Sequence, residues 1–278
     1  MTIFGPPVDV RPLFPRERFA LLELLGSLDR SDWAKPTICP GWDVHDVVAH
    51  LVNDYVRRLS GSRDGHHGAG FHPGESLPAF IARINEEFVS AARQCSPRVL
   101  IDLLTHLGPQ LDALWAERNL HDAADLDVSW AATDLPSPAW LDIAREYTEF
   151  WVHQQQIRDA VTRPGADQPE LLGPVVDTFL RALPSTLAAE PRQDGTTLRF
   201  QVTGPAGGVW TAIHDDGRWR VTTGATSTDP AATVTMDQHT LWRLASRGRT
   251  AEQARAQATL VGDRSLAETA TSLLAIIR

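Results

Sequence analysis

The chain is poor in lysine: Lys35 is the only one, and arginine supplies nearly all of the positive charge. A GC-rich genome accounts for that bias more simply than a phosphate-binding role does. The basic surface that general nucleic-acid binding needs is missing as well, since the net charge is -9. The two cysteines, Cys39 and Cys95, stand in neither a metal-binding nor a redox spacing, so reduced thiols in an intracellular protein are expected. No run of about 20 apolar residues is available to span a membrane, and no N-terminal apolar stretch resembles a signal peptide. The expectation is a cytoplasmic protein that engages neither membrane nor nucleic acid. Ser62, Ser76 and Ser96 lie in no nucleophile-elbow context, which argues against a serine hydrolase. Residues 204–208 hold two adjacent glycines but no phosphate-binding pattern, and read as a turn.

What is present suffices for one large domain or two ordinary ones without disulfide support: 278 residues, 42% hydrophobic. The spacing predicts a helix over residues 15–28, with Phe19, Leu22, Leu25 and Leu28 on one stripe. After a loop, Asp43 stands as an N-cap for a helix reaching about residue 59, and Trp42 and Val47 are placed like a hydrophobic staple. Residues 61–74, rich in Gly and His, read as a mobile loop. Further helices are predicted over 77–94, over 97–117 with a kink or break at Gly108-Pro109, and over 140–161. Together they make a helical bundle with up-and-down connections.

The composition changes at the linker Arg163-Pro-Gly-Ala-Asp-Gln-Pro169. A helix over 170–187 is followed by four short alternating strands, at about 197–202, 209–214, 218–222 and 232–236, with a hairpin signal at Asp215-Asp-Gly217. Helices over 237–247 and 265–277 close the chain. The fold class is therefore α+β, a helical bundle at 1–165 followed by a small α+β domain with an antiparallel sheet at 166–278.

One stretch points to chemistry. In Glu149-Phe-Trp-Val-His153 a carboxylate and an imidazole lie four residues apart on one helical face and suit the same metal ion. Two ligands hold a divalent metal poorly, and His50 on another helix is the candidate third. The plainer readings are a solvated Glu149–His153 pair and a partly buried His50 bonded to Asp54. Glu146 shares the face and stands as a substitute for Glu149. Two histidines and one carboxylate leave open coordination positions, a pattern that suits catalytic zinc first and also accepts iron, manganese or nickel. Arg83 on the third bundle helix is a candidate carboxylate clamp, with surface solvation as its plain alternative. His66, His67 and His72 form a loop cluster that reads either as a lid or as polar loop.

The stretch Cys39-Pro-Gly-Trp-Asp-Val-His-Asp-Val-Val-Ala-His50-Leu resembles the N-terminal signature of the mycothiol-dependent maleylpyruvate isomerase family, and Glu149-Phe-Trp-Val-His153 resembles the second half of that family's metal site. Leu241-Trp-Arg-Leu-Ala-Ser-Arg-Gly-Arg249, with Val261-Gly-Asp263, is similar to its sterol-carrier-protein-like C-terminal domain. The resemblance implies a DinB-like four-helix bundle with His50, Glu149 and His153 as ligands of a divalent metal. In the namesake activity the thiol of mycothiol adds to maleylpyruvate, the former double bond rotates, and the thiol leaves as fumarylpyruvate is released. It further implies cationic residues for substrate carboxylates: Arg83, and Arg249 from the C-terminal domain. The chain departs from relatives that place an aspartate shortly after the helix histidine; here stands Gln154-Gln-Gln156. The expected function is thiol transfer or thiol-assisted isomerisation of a small electrophile, using a low-molecular-weight thiol, in a monomer or homodimer. A non-catalytic metal- or ligand-binding module and a hydrolase with metal-activated water are the alternatives.

Overall fold

In the computed structural model, which describes residues 3–125, 130–131, 135–226 and 229–275, the helices begin where capping side chains occur. The Asp43 carboxylate accepts the Asp46 N–H at 3.0 Å and opens α2, Val44–Arg58. Ser76 and Ser96 do the same for α3, Leu77–Ala92, and α4, Pro97–Glu117. The first helix, α1, spans Phe14–Gly26 and buries Phe14, Leu21, Leu24 and Leu25. The expected stripe was rotated: Phe19 is exposed, because Glu17 and Arg18, not Phe19, turn into the core. A π turn at Leu59–Arg63 extends α2.

α4 runs on past Gly108-Pro109, so of the expected kink or break, the break does not occur. Arg18 lies over Gly108, in the space a Cβ would need, and its Nη1 donates to Asp112 Oδ1 at 2.8 Å. That pair binds α1 to α4 on both sides of the proline and offsets the one hydrogen bond it removes. The last bundle helix, α5, spans Ala139–Val161.

The chain divides into two compact units, one of residues 10–119 and 146–166, the other of the described parts of 1–9, 120–145 and 167–277. The second unit holds α6, Pro169–Leu180, and α7, Leu183–Thr186. A single helix was expected there; Pro184, which has no N–H to donate, sits where the two part. Five strands follow: β1 Thr197–Thr203, β2 Gly208–Asp215, β3 Arg218–Thr223, β4 Ala232–Asp237 and β5 Thr259–Gly262. Their order is β3-β2-β1-β4-β5. The β2–β3 hairpin turns on Asp216 and Gly217, both at positive φ (52° and 71°), as the Asp-Gly signal requires.

The sheet is mixed where an antiparallel one was expected. β1 pairs with β4 in parallel, Phe200 opposite Val234, while the other pairings are antiparallel. Alternation along a strand reports which face is buried and says nothing of direction. β5 escaped notice because it is a four-residue edge strand with Val261 exposed. Three short helices complete the unit: α8 Gln238–Ala245, α9 Ala251–Arg255 and α10 Arg264–Ala270. α10 stops short of the expected end, and the Ala275 N–H instead meets the Ala245 carbonyl at 3.0 Å. Parts of the stretch between α4 and α5 and the end of the last expected helix lie outside the described residues. No helix among the described residues is long and apolar enough to cross a membrane.

Candidate metal centre

Two helices of the bundle unit bring the site together. The buried face of α2 carries His50 inward among Val47, Leu51 and Asn53. On α5, Glu149 and His153 stand one turn apart, between the buried rings of Phe150 and Trp151 and the buried Ile157. Glu149 Oε1 lies 3.1 Å from His50 Nε2 and 3.0 Å from His153 Nε2. The two imidazoles meet edge to face, their centroids 4.7 Å apart. The donor atoms of all three residues fall within 4.8 Å of one another. Ligands of a tetrahedral zinc with bonds of about 2.0–2.1 Å are separated by roughly 3.3 Å, so the two Nε2–Oε1 distances fit a shared cation. The Glu149 side chain is 39% exposed while His50 is 5%, which leaves the open side of the cluster at the carboxylate.

The electrostatics agree. Burial works to raise the Glu149 carboxyl, but the facing imidazoles, His153 first, hold it well below the usual range. Burial works to lower the His153 imidazole, and the Glu149 carboxylate lifts it well above its ordinary value. Without a metal, protons on nitrogen thus do what a cation would do at the same point.

Surrounding groups fix the rings. His153 Nδ1 sits 2.7 Å from Gln156 Oε1, and the Cys39 thiol donates to that same oxygen at 3.1 Å. Gln156 therefore occupies the orienting role for which the sequence offered only a departure from its relatives. With Nδ1–H donated to the amide oxygen, Nε2 is the nitrogen that faces Glu149 and the cluster, and its proton is the one a metal would replace. Trp42 packs its ring 5.2 Å from that of His50 and donates Nε1–H to Glu86 at 3.0 Å. Asp54 Oδ2 lies 3.4 Å from His50 Nε2, and neither it nor His50 Nδ1 has a hydrogen-bond partner among the described residues.

The other candidates have partners of their own. Glu146 is taken by Arg58, whose Nε donates to it at 2.8 Å. Arg83 holds both oxygens of Glu75, at 2.8 and 2.9 Å, and the Gly70 carbonyl at 2.9 Å. With Phe71 stacked on Phe80 at 4.2 Å, these contacts tie the Gly/His-rich loop to α3. His66, His67 and His72 are exposed. Arg249 belongs to the sheet-bearing unit, where it donates to Thr240 Oγ1 at 2.9 Å and to Gln257. A second acidic cluster, Asp43, His45 and Asp46, is already engaged: Asp43 caps α2, Asp46 pairs with Arg93 at 2.9 Å, and His45 Nε2 meets the Cys95 carbonyl at 2.9 Å.

Fold and site define an α+β protein whose helical unit carries a His/Glu/His donor cluster. The chain belongs to the family described as the mycothiol maleylpyruvate isomerase N-terminal domain, whose model matches residues 14–158. It is similar to the crystal structure of the mycothiol-dependent maleylpyruvate isomerase at 15% identity and a TM-score of 0.54, over 94% of this chain and 95% of that one. A histidine-to-alanine mutant of that isomerase gives 14% identity and 0.53 over the same shares. At these identities the likeness establishes the fold. No curated protein matches the chain.

Proposed function

We propose that His50, Glu149 and His153 hold a divalent metal, zinc by preference, and that the protein uses mycothiol in thiol transfer or thiol-assisted isomerisation of a small anionic electrophile. The observation that supports this most is the convergence of two Nε2 atoms on one Glu149 oxygen, in a chain of this family. A metal bound there lowers the pKa of a thiol and keeps it as thiolate beside the electrophile.

The protein's own groups do the rest. Gln156 holds the Nδ1 side of His153 so that Nε2 stays directed at the cluster. Trp42 covers the His50 ring and limits water on that side. The half-exposed Glu149 leaves room for a thiol to approach. A substrate carboxylate would reach Arg83 only by displacing Glu75. Free Cys39 and Cys95 suit a reducing, cytoplasmic setting. The sheet-bearing unit is read as the family's sterol-carrier-protein-like C-terminal domain.

Elemental analysis of the purified protein beside His153→Ala tests the reading. One metal equivalent in the wild type, lost in the variant, is the expected result. Thiol-dependent turnover should vanish with it. No metal in either protein after refeeding with zinc or manganese would overturn the assignment. Turnover that needs the metal but no thiol would replace thiol chemistry with water activation.

A further inference from the structure

His50, Asn53, Asp54 and Arg57 lie at positions i, i+3, i+4 and i+7 of α2 and so share one face of that helix. The arginine at the end of this row differs from four other arginines of the bundle unit. Arg18 holds Asp112, Arg58 holds Glu146, Arg83 holds Glu75 and Arg93 holds Asp46. Arg57 holds no carboxylate among the described residues. Its one hydrogen bond runs from Nη1 to the neutral Asn85 Oδ1 at 3.4 Å, an oxygen that Asn53 Nδ2 also reaches at 3.2 Å. The remaining guanidinium N–H groups and the Asn85 amide N–H groups are thus left as donors without protein acceptors. Arg57 is half-buried, and its charge is felt by the Asp54 carboxyl that sits beside His50.

A half-buried guanidinium that shares a neutral amide oxygen and holds no carboxylate in an ion pair has donors left for an anion. The planar fork of arginine suits a carboxylate in particular. We propose that Arg57, with Asn85, is the carboxylate-binding subsite of the candidate metal centre, and that it rather than Arg83 or Arg249 holds the substrate's anionic group. No existing ion pair has to break for Arg57 to act, whereas Arg83 must first release Glu75. This assignment rests on the function proposed above for its substrate class, but its geometry is independent of the metal.

Calorimetric titration with succinate, on both zinc-loaded and metal-free protein, separates the two ideas. The wild type is expected to bind succinate saturably. Arg57→Gln is expected to weaken that binding by about tenfold or more, the loss of a charge-assisted pair, in both forms of the protein. Equal zinc uptake by wild type and Arg57→Gln shows that the variant is folded; should it not fold, Asn85→Ala serves instead, with a loss of several-fold expected from the missing amide donors. Failure of the wild type to bind zinc would remove the metal reading and leave the succinate result to stand by itself. Succinate affinity unchanged in Arg57→Gln, affinity lost in Arg83→Gln instead, or no saturable binding by the wild type would each overturn the assignment to Arg57.

Discussion

Gln156 offers one amide oxygen, and two donors point at it: the imidazole of His153 and the thiol of Cys39. Both want an acceptor, so the amide is held with its oxygen toward the ring. Replacing it with leucine removes the acceptor and frees His153 to put its proton on Nε2. Zinc affinity of Gln156→Leu, measured by chelator competition, is expected to fall about 10- to 100-fold, as for other partners that orient a ligand histidine. Gln156→Glu keeps an acceptor of the same length and should bind zinc at least as tightly as the wild type. A leucine variant with wild-type affinity would show that the amide orients nothing. Much of this cluster was legible beforehand. Glu149 and His153 share a face by helical spacing alone, and His50 follows Asp43 in a cap-and-helix pattern that places it inward. Arg57 left only the signal of its seven-residue step from His50. Arg83 looked available because its partner, Glu75, stands eight residues back, just ahead of the helix, where helical spacing pairs nothing.

At the scale of elements, caps and apolar spacing located the bundle helices to within a few residues, since those signals are local. What failed depended on contacts from elsewhere. Pro109 reads as a breaker until Arg18 arrives from α1 to hold Asp112 one turn on. The parallel β1–β4 pair is a matter of which strands meet, and neighbouring residues do not encode it. The Arg18 crossing makes a test. On helix propensity alone Gly108→Ala should stabilise α4 by up to about 1 kcal/mol. A Cβ there would collide with the Arg18 side chain, which its pairing with Asp112 restrains. Gly108→Ala is therefore expected to destabilise by about 1–2 kcal/mol in urea unfolding, the range for overfilled positions. In an Asp112→Ala background, with Arg18 free to swing away, the same substitution should cost nothing. A stabilised Gly108→Ala single variant would refute this account of the crossing.

For the molecule as a whole, Glu17 ties stability to pH. It is fully buried; Oε1 accepts from Gln154 Nε2 at 2.6 Å, and Oε2 has no partner. Burial pushes its carboxyl from 4.5 to about 7, against the opposing pulls of Gln154, Arg18 and Arg158. Tyr55 and Tyr147, both raised by burial and by Glu17 itself, also face it. Because the folded value lies above the unfolded one, the stability this group contributes is full below about pH 4.5 and is lost as pH rises through about 7. The loss by pH 8 is on the order of 3 kcal/mol. Glu17→Gln should remove that slope, so that metal-free wild type and variant diverge between pH 5 and 8, with the variant the more stable at pH 8. Parallel stability curves for the two proteins over that range would exclude it.

The division of the chain has a consequence for how such a protein is made and how it can be cut. Residues 120–145 belong with the strands, yet they are encoded between two parts of the bundle unit, and α5 passes from one unit into the other. Neither unit is a contiguous stretch of gene. On the ribosome, the last bundle residues emerge before residues 167–277, which belong to the same unit as 120–145, have been made. A cut in the linker at 163–169 would leave that piece attached to the wrong half, so no single cut of the chain separates the two units.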